Sequence, residues 1–138
     1  MSFLLDTNGV SETFKRASNP GFTSWLRDRN DQFLWISVLT LGELRYGMLL
    51  LPAGPKRDML QAWIAQTQLA YAPRTLNVDA GVALAWSEVA ARHRTALRTV
   101  SAADELIAAT AIVHDLTVVT RNVRDFEASG CKLLSPWT

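Results

Sequence analysis

The sequence predicts an α/β domain: a mainly parallel central sheet with helices on both faces. Three observations lead there. Short apolar runs such as Phe3-Leu4-Leu5, Gln32–Ser37 and Leu116–Thr120 read as buried strands. Between them lie segments whose apolar residues recur at helical spacing, and strands alternating with helices specify a parallel sheet. Several strands also end abruptly in polar residues, which such a sheet gathers at the carboxyl ends of its strands, where ligands bind.

The elements follow in order. Phe3-Leu4-Leu5 is the first strand and delivers Asp6 to its end, with Thr7 and Asn8 next. Asp6 or Asn8 equally suits the N-cap of the following helix, so both readings stand. A short helix covers Val10–Arg16, weakened by Gly9 at its start. Asn19-Pro20-Gly21 is a turn, after which Phe22, Trp25 and Leu26 mark a helix with a charged exit over Arg27–Asp31. Gln32–Ser37 is the second strand. Ser37 N-caps a helix to about Leu51, stopped by Pro52 and Gly54, with Leu41, Leu44 and Met48 on one face. Glu43 in that helix is a solvated residue, the acid of a Thr40-x-x-Glu43 capping box, or a functional acid. Gly42 and Gly47 weaken the same helix, and close backbone packing or ligand access is the motive they suggest.

Pro55–Tyr71 is the next helix, and its stripe of Leu60, Trp63, Ile64 and Thr67 suits a core or an interface. Thr75–Val78 is a short strand. Asp79 then caps a helix through about Arg94, with Val82, Trp86 and Val89 facing inward. The exit residues Arg92, His93, Arg94 and Arg98 suit a helix carboxyl end or a phosphate-binding rim. Ser101 and Asp104 resemble a capping box at the start of a helix that is apolar on nearly every side, hence buried. Asp104, Ala108 and Ala111 share one narrow face, where small residues leave room for something bulky, such as a hydrated ion. The strand Leu116–Thr120 ends in Arg121-Asn122-Val123-Arg124-Asp125-Phe126, and Gly130 turns the chain into a last strand at Lys132-Leu133-Leu134.

At 138 residues the chain fits a single domain, residues 1–138, with 49% hydrophobic and 20% charged residues. A formal charge of +1 provides no overall basic field, so any nucleic-acid contact rests on local arginines. Cys131 stands alone, which excludes an internal disulfide and makes a buried small hydrophobe its ordinary role. No signal-peptide pattern opens the chain and no apolar run approaches the roughly 20 residues of a membrane span, so a cytoplasmic location is expected.

Asp6, Thr120 and Asn122 follow strands while Glu43 and Asp104 lie near helix starts, so all can meet on one rim. Crowded carboxylates repel unless a cation shares the site. Oxygen ligands without clustered Cys or His point to Mg²⁺ or Mn²⁺. An acidic metal site with arginines at its margin suits phosphodiester chemistry.

Four motifs then carry a resemblance: Leu5-Asp6-Thr7-Asn8; Ser37-x-x-Thr40-x-x-Glu43-Leu44-x-x-Gly47; Asp104-x-x-Ile107-Ala108-Ala109-Thr110-Ala111; and Thr120-x-Asn122-x-x-Asp125-Phe126. In this order the chain resembles a PIN-domain ribonuclease, more narrowly the VapC toxins of bacterial toxin–antitoxin pairs, including their FitB-like branch. The resemblance implies a three-layer PIN-like fold and hydrolysis of RNA, usually structured RNA such as tRNA, by a metal-activated water. Asp6, Glu43 and Asp104 match the three principal metal-binding acids. Asn122 and Asp125 share the place of a fourth, making Asp6, Glu43, Asp104 and Asp125 the catalytic set. Thr7, Asn8 and Thr120 would orient the carboxylates. Arg16, Arg45, Arg98, Arg121 and Arg124 are candidates for RNA contact. A VapB-like antitoxin is the implied partner, with an arginine reaching the acidic cleft, and a homodimer or hetero-oligomer is expected, with the Trp63 stripe able to serve the contact.

Two rival readings remain. A haloacid-dehalogenase-type phosphatase needs an aspartate two positions after its nucleophile, where this chain has Asn8, and the late lysine of a receiver domain is missing. A non-catalytic PIN-like module acting through protein binding is the other, and the presence of all three principal acids speaks against it.

Overall fold

A computed structural model describes residues 1–138. The chain builds strands β1 (Phe3–Leu5), β2 (Leu34–Ser37), β3 (Thr75–Leu76), β4 (Thr117–Val119) and β5 (Lys132–Leu134). Its helices are α1 (Thr7–Glu12), α2 (Pro20–Arg27), α3 (Val38–Leu49), α4 (Pro55–Ala70), α5 (Ala80–Thr95), α6 (Ala102–His114) and α7 (Val123–Phe126). The sheet runs β3-β2-β1-β4-β5 with every pairing parallel.

Side chains alternate across a strand, and the sequence uses both faces. Phe3 and Leu5 of β1 enter a core with Phe22, Leu34, Ile36, Leu44, Met48 and Ile64, under α1 to α4. Leu4 enters the opposite core with Val82, Val89, Ile107 and Val118, under α5 to α7. The result is the expected three layers. No helix is long and apolar enough to cross a membrane.

Most helix starts are set by the residues the sequence nominates. Ser37 accepts from Leu39 N at 3.1 Å, Asp79 from Val82 N at 3.0 Å and Ser101 from Asp104 N at 3.1 Å. The outcome differs from expectation at α1 and inside α3. Helix α1 begins at Thr7 rather than Val10 because Asp6 is its N-cap, accepting from Gly9 N at 2.8 Å. With Ser37 capping α3, Thr40 lies inside the helix and the Thr40–Glu43 capping box does not form.

Two packing expectations are corrected. A Cβ at Gly42 or Gly47 would meet nothing within 4 Å, so neither glycine serves close backbone packing. Ala108 and Ala111 are wholly buried in the core beside Val82 and Val89, leaving no space for an ion on that face. The α4 stripe divides between the two roles it suits: Ile64 and Thr67 are buried in the core, while Leu60 and Trp63, the latter 5.1 Å from Phe14, are half-buried and face an open cleft. The basic exit of α5 is mixed: Arg92 and Arg94 are exposed, Arg98 is half-buried and only His93 is buried. Arg92 donates to Ser129 O at 2.7 Å, Arg98 to Arg124 O at 3.2 Å, and His93 is buried against Glu105.

Candidate active site

The sheet order reverses between β1 and β4, whose connections leave in opposite directions along the sheet, and such a switch point opens a crevice at the strands' carboxyl ends. β1 delivers Asp6 there and β4 delivers Thr120. Glu43 reaches the rim from the second turn of α3, Asp104 from the first turn of α6, and Asp125 from α7.

Asp6 is 3% exposed. Burial lifts its carboxyl from 3.8 to about 6, and the nearby charges of Asp104 and Glu43 push the same way, against hydrogen bonds from Thr120 and Gly9 N. Asp104 is also raised, by burial first and then by the charges of Glu43 and Asp125. The four acids therefore sit in one another's field. None of them takes part in the chain's ion pairs, which involve Glu12, Glu105, Glu127 and Asp115 instead. No three of these acid side chains stand at ion-holding distance of one another. Hard carboxylate oxygens, buried at Asp6 and half-buried at Glu43, Asp104 and Asp125, with no basic side chain paired to them, are the donor set a divalent cation of the magnesium type takes.

Neighbouring hydroxyls hold these acids. Thr7 Oγ1 donates to Glu43 Oε1 at 2.6 Å and lies 3.1 Å from Thr40 Oγ1. The Thr40 contact was not singled out from the sequence, although Ser37, Thr40 and Glu43 at three-residue spacing share one helix face. Thr120 Oγ1 accepts from Asn122 N at 2.9 Å. Asn122 is exposed and lines a polar furrow with Asn8, while the charge of Asp125 acts on Asp104.

Beside Glu43 the site opens into a mostly apolar cleft of about 430 Å³, with Thr7, Phe14, Leu44, Gly47 and Trp63 among its walls. The bare Gly47 keeps that cleft open, which answers the access reading of the glycines. The candidate arginines are dispersed. Arg16 and Arg124 are exposed, Arg121 lines the polar furrow, Arg98 is tied to Glu127 at 3.3 Å, and Arg45 lines a separate cavity between α3 and α4.

A PIN-domain profile matches residues 3–129. The chain belongs to the PIN-domain family. Toxin FitB of Neisseria gonorrhoeae is 36% identical over 135 residues, 97% of each chain. VapC ribonuclease Y4jK of Sinorhizobium fredii is 33% identical over 135 residues, covering 97% of this chain and 96% of its own. The solved structure of FitAB bound to an IR36 DNA fragment superposes with a TM-score of 0.90 at 34% identity, covering 99% of this PIN domain and 96% of that chain.

Proposed function

We propose that this PIN domain is a Mg²⁺- or Mn²⁺-dependent endoribonuclease toxin of the VapC type, held inactive by a VapB-like antitoxin. The observation that carries the reading is the gathering of Asp6, Glu43 and Asp104, with Asp125 beside them, on the switch-point rim without a basic partner. A divalent ion bound there supplies a water of lowered pKa and charge stabilisation for the phosphorus oxygens. Asp6, Glu43 and Asp104 would hold it, with Asp125 the candidate fourth.

The chain's own contribution is preorganisation. Gly9 N and the Thr120 hydroxyl hold the Asp6 carboxyl, and Thr7 fixes one oxygen of Glu43, leaving the other Glu43 oxygen for a ligand. The kinship with a ribonuclease and a toxin supports the activity, and structured RNA such as tRNA is the substrate class we favour. The FitB relative is solved as FitAB, and the apolar cleft beside Glu43 is where an antitoxin segment would lie, within reach of the acids.

The test is cleavage of total RNA with added Mg²⁺, wild type against Asp6→Asn. Magnesium-dependent cleavage by wild type alone is the expected result. Intact RNA together with hydrolysis of small phosphate esters overturns the reading in favour of a phosphatase.

A further inference from the structure

Alongside α1 runs a second concavity, sharing Ser11 and Lys15 with the cleft beside Glu43, that the chemistry above does not use. A cavity of about 360 Å³ is walled only by polar side chains: Asn8, Ser11, Glu12, Lys15, Arg121 and Asn122. A second, of about 310 Å³, shares Glu12, Lys15 and Arg121 and continues it toward Asn19 and Trp137. Asn8 lies two residues past Asp6, and Asn122 two past Thr120, so this furrow starts at the catalytic rim.

Its charge is decided by Glu12. That carboxylate is 3% exposed and already accepts from Trp137 Nε1 at 3.1 Å, Asn19 N at 3.1 Å and Lys15 Nζ at 3.3 Å. Lys15 keeps two further N–H donors on a half-exposed side chain. Arg121 is exposed and takes part in none of the ion pairs, so its five donors are free. A guanidinium, an ammonium, amides and a hydroxyl around one polar hollow are the partners of a phosphate. The furrow offers a nucleobase no aromatic face to stack on. The one aromatic residue here, Trp137, is stacked 4.5 Å from Phe22 and has its N–H on Glu12. The first cavity has no apolar wall to grip a peptide side chain.

We propose that this furrow is a phosphodiester subsite, in which Arg121 and Lys15 hold a backbone phosphate of the RNA next to the one being cleaved. The inference rests on the ribonuclease reading and names how that substrate is held. It makes binding there independent of base identity, because phosphate contacts position a strand without reading it.

The deciding experiment uses the full chain with Arg121→Ala, Arg121→Lys and Lys15→Ala, and Lys132→Ala as control. Lys132 opens β5 at the opposite end of the sheet, paired with Asp115. Cleavage of a short fluorogenic RNA gives KM and kcat. Anisotropy of labelled oligoribonucleotides, with 5′-hydroxyl or 5′-phosphate ends, gives affinity on the inactive Asp6→Asn background. Arg121→Ala raises KM and the dissociation constant by about tenfold or more, the scale of a lost charge-assisted hydrogen bond. It leaves kcat within about twofold, and it lowers the salt slope by about 0.7 per phosphate released. Arg121→Lys recovers part of the loss, and Lys132→Ala has no effect. Unchanged KM and affinity in Arg121→Ala overturn the proposal, as does an equal loss in Lys132→Ala or a loss confined to 5′-phosphate ends. If wild type leaves RNA uncut while Arg121 still governs oligonucleotide affinity, the ribonuclease reading fails and the subsite stands.

Discussion

Replacing Asp6 by Asn should make the metal-free protein more stable at neutral pH, although it removes the central acid of the site. The asparagine keeps the capping acceptor for Gly9 N, and the Thr120 hydroxyl has a lone pair left for its amide. What changes is the charge. Burial and the neighbouring acids hold Asp6 at about 6 in the folded chain against 3.8 when unperturbed. A group raised on folding contributes its full stability below the lower value and loses it as pH rises through the higher one. The interval corresponds to about 3 kcal/mol. Wild type therefore gives up that much between pH 4 and pH 7, while Asp6→Asn does not. In a domain of this size the gap is about 10 °C in Tm. Thermal unfolding followed by circular dichroism in chelator-treated buffers from pH 4 to pH 8 measures it. The two proteins should coincide at the acid end and separate toward neutrality. Mg²⁺ should then raise the Tm of wild type and not of Asp6→Asn, since a ligand stabilises the state that binds it. A variant no more stable than wild type at pH 8, or a gap that widens toward acid, would refute the assignment of an ionised, buried, unpaired Asp6.

Three further outcomes are expected. Thr7→Val removes the hydrogen bond to Glu43 and should lower kcat about 10–100-fold with the fold intact, while Thr7→Ser restores most of it, in the same RNA cleavage assay. Glu105→Ala strips His93 of its 2.7 Å partner; His93 Nε2 is already without one, so urea unfolding should show a loss of about 2–3 kcal/mol. Leu97 holds φ at 57° with its side chain 92% exposed, and Leu97→Gly should raise stability by about 0.5–1 kcal/mol in the same measurement.

The parts of this architecture that show in the sequence are those fixed by local physics. Phe3-Leu4-Leu5 is apolar on both faces because both faces are covered, and Ser37, Asp79 and Ser101 announce the helices they cap. The acids at strand and helix ends are legible for the same reason. What stays hidden depends on partners far along the chain. Glu12 looks like a solvated residue of a short helix, yet Trp137, 125 residues away, closes over it. Ala108 and Ala111 read as open space, because nothing local reveals that α5 packs onto them. Asp6 presented two alternatives, cap and functional acid. It is the cap of α1 and also a member of the acidic cluster.

The placement of β1 bears on how the protein comes into being. This first-made strand is the middle of the sheet, paired with Leu34 and Trp35 on one side and with Thr117 to Val119 on the other. The second edge of β1 therefore stays unpaired until most of the chain has left the ribosome, and such distant pairings form slowly. The acids are drawn from positions 6, 43, 104 and 125, so a prematurely terminated product lacks part of the rim. The rim is whole only once the chain has been made through position 125.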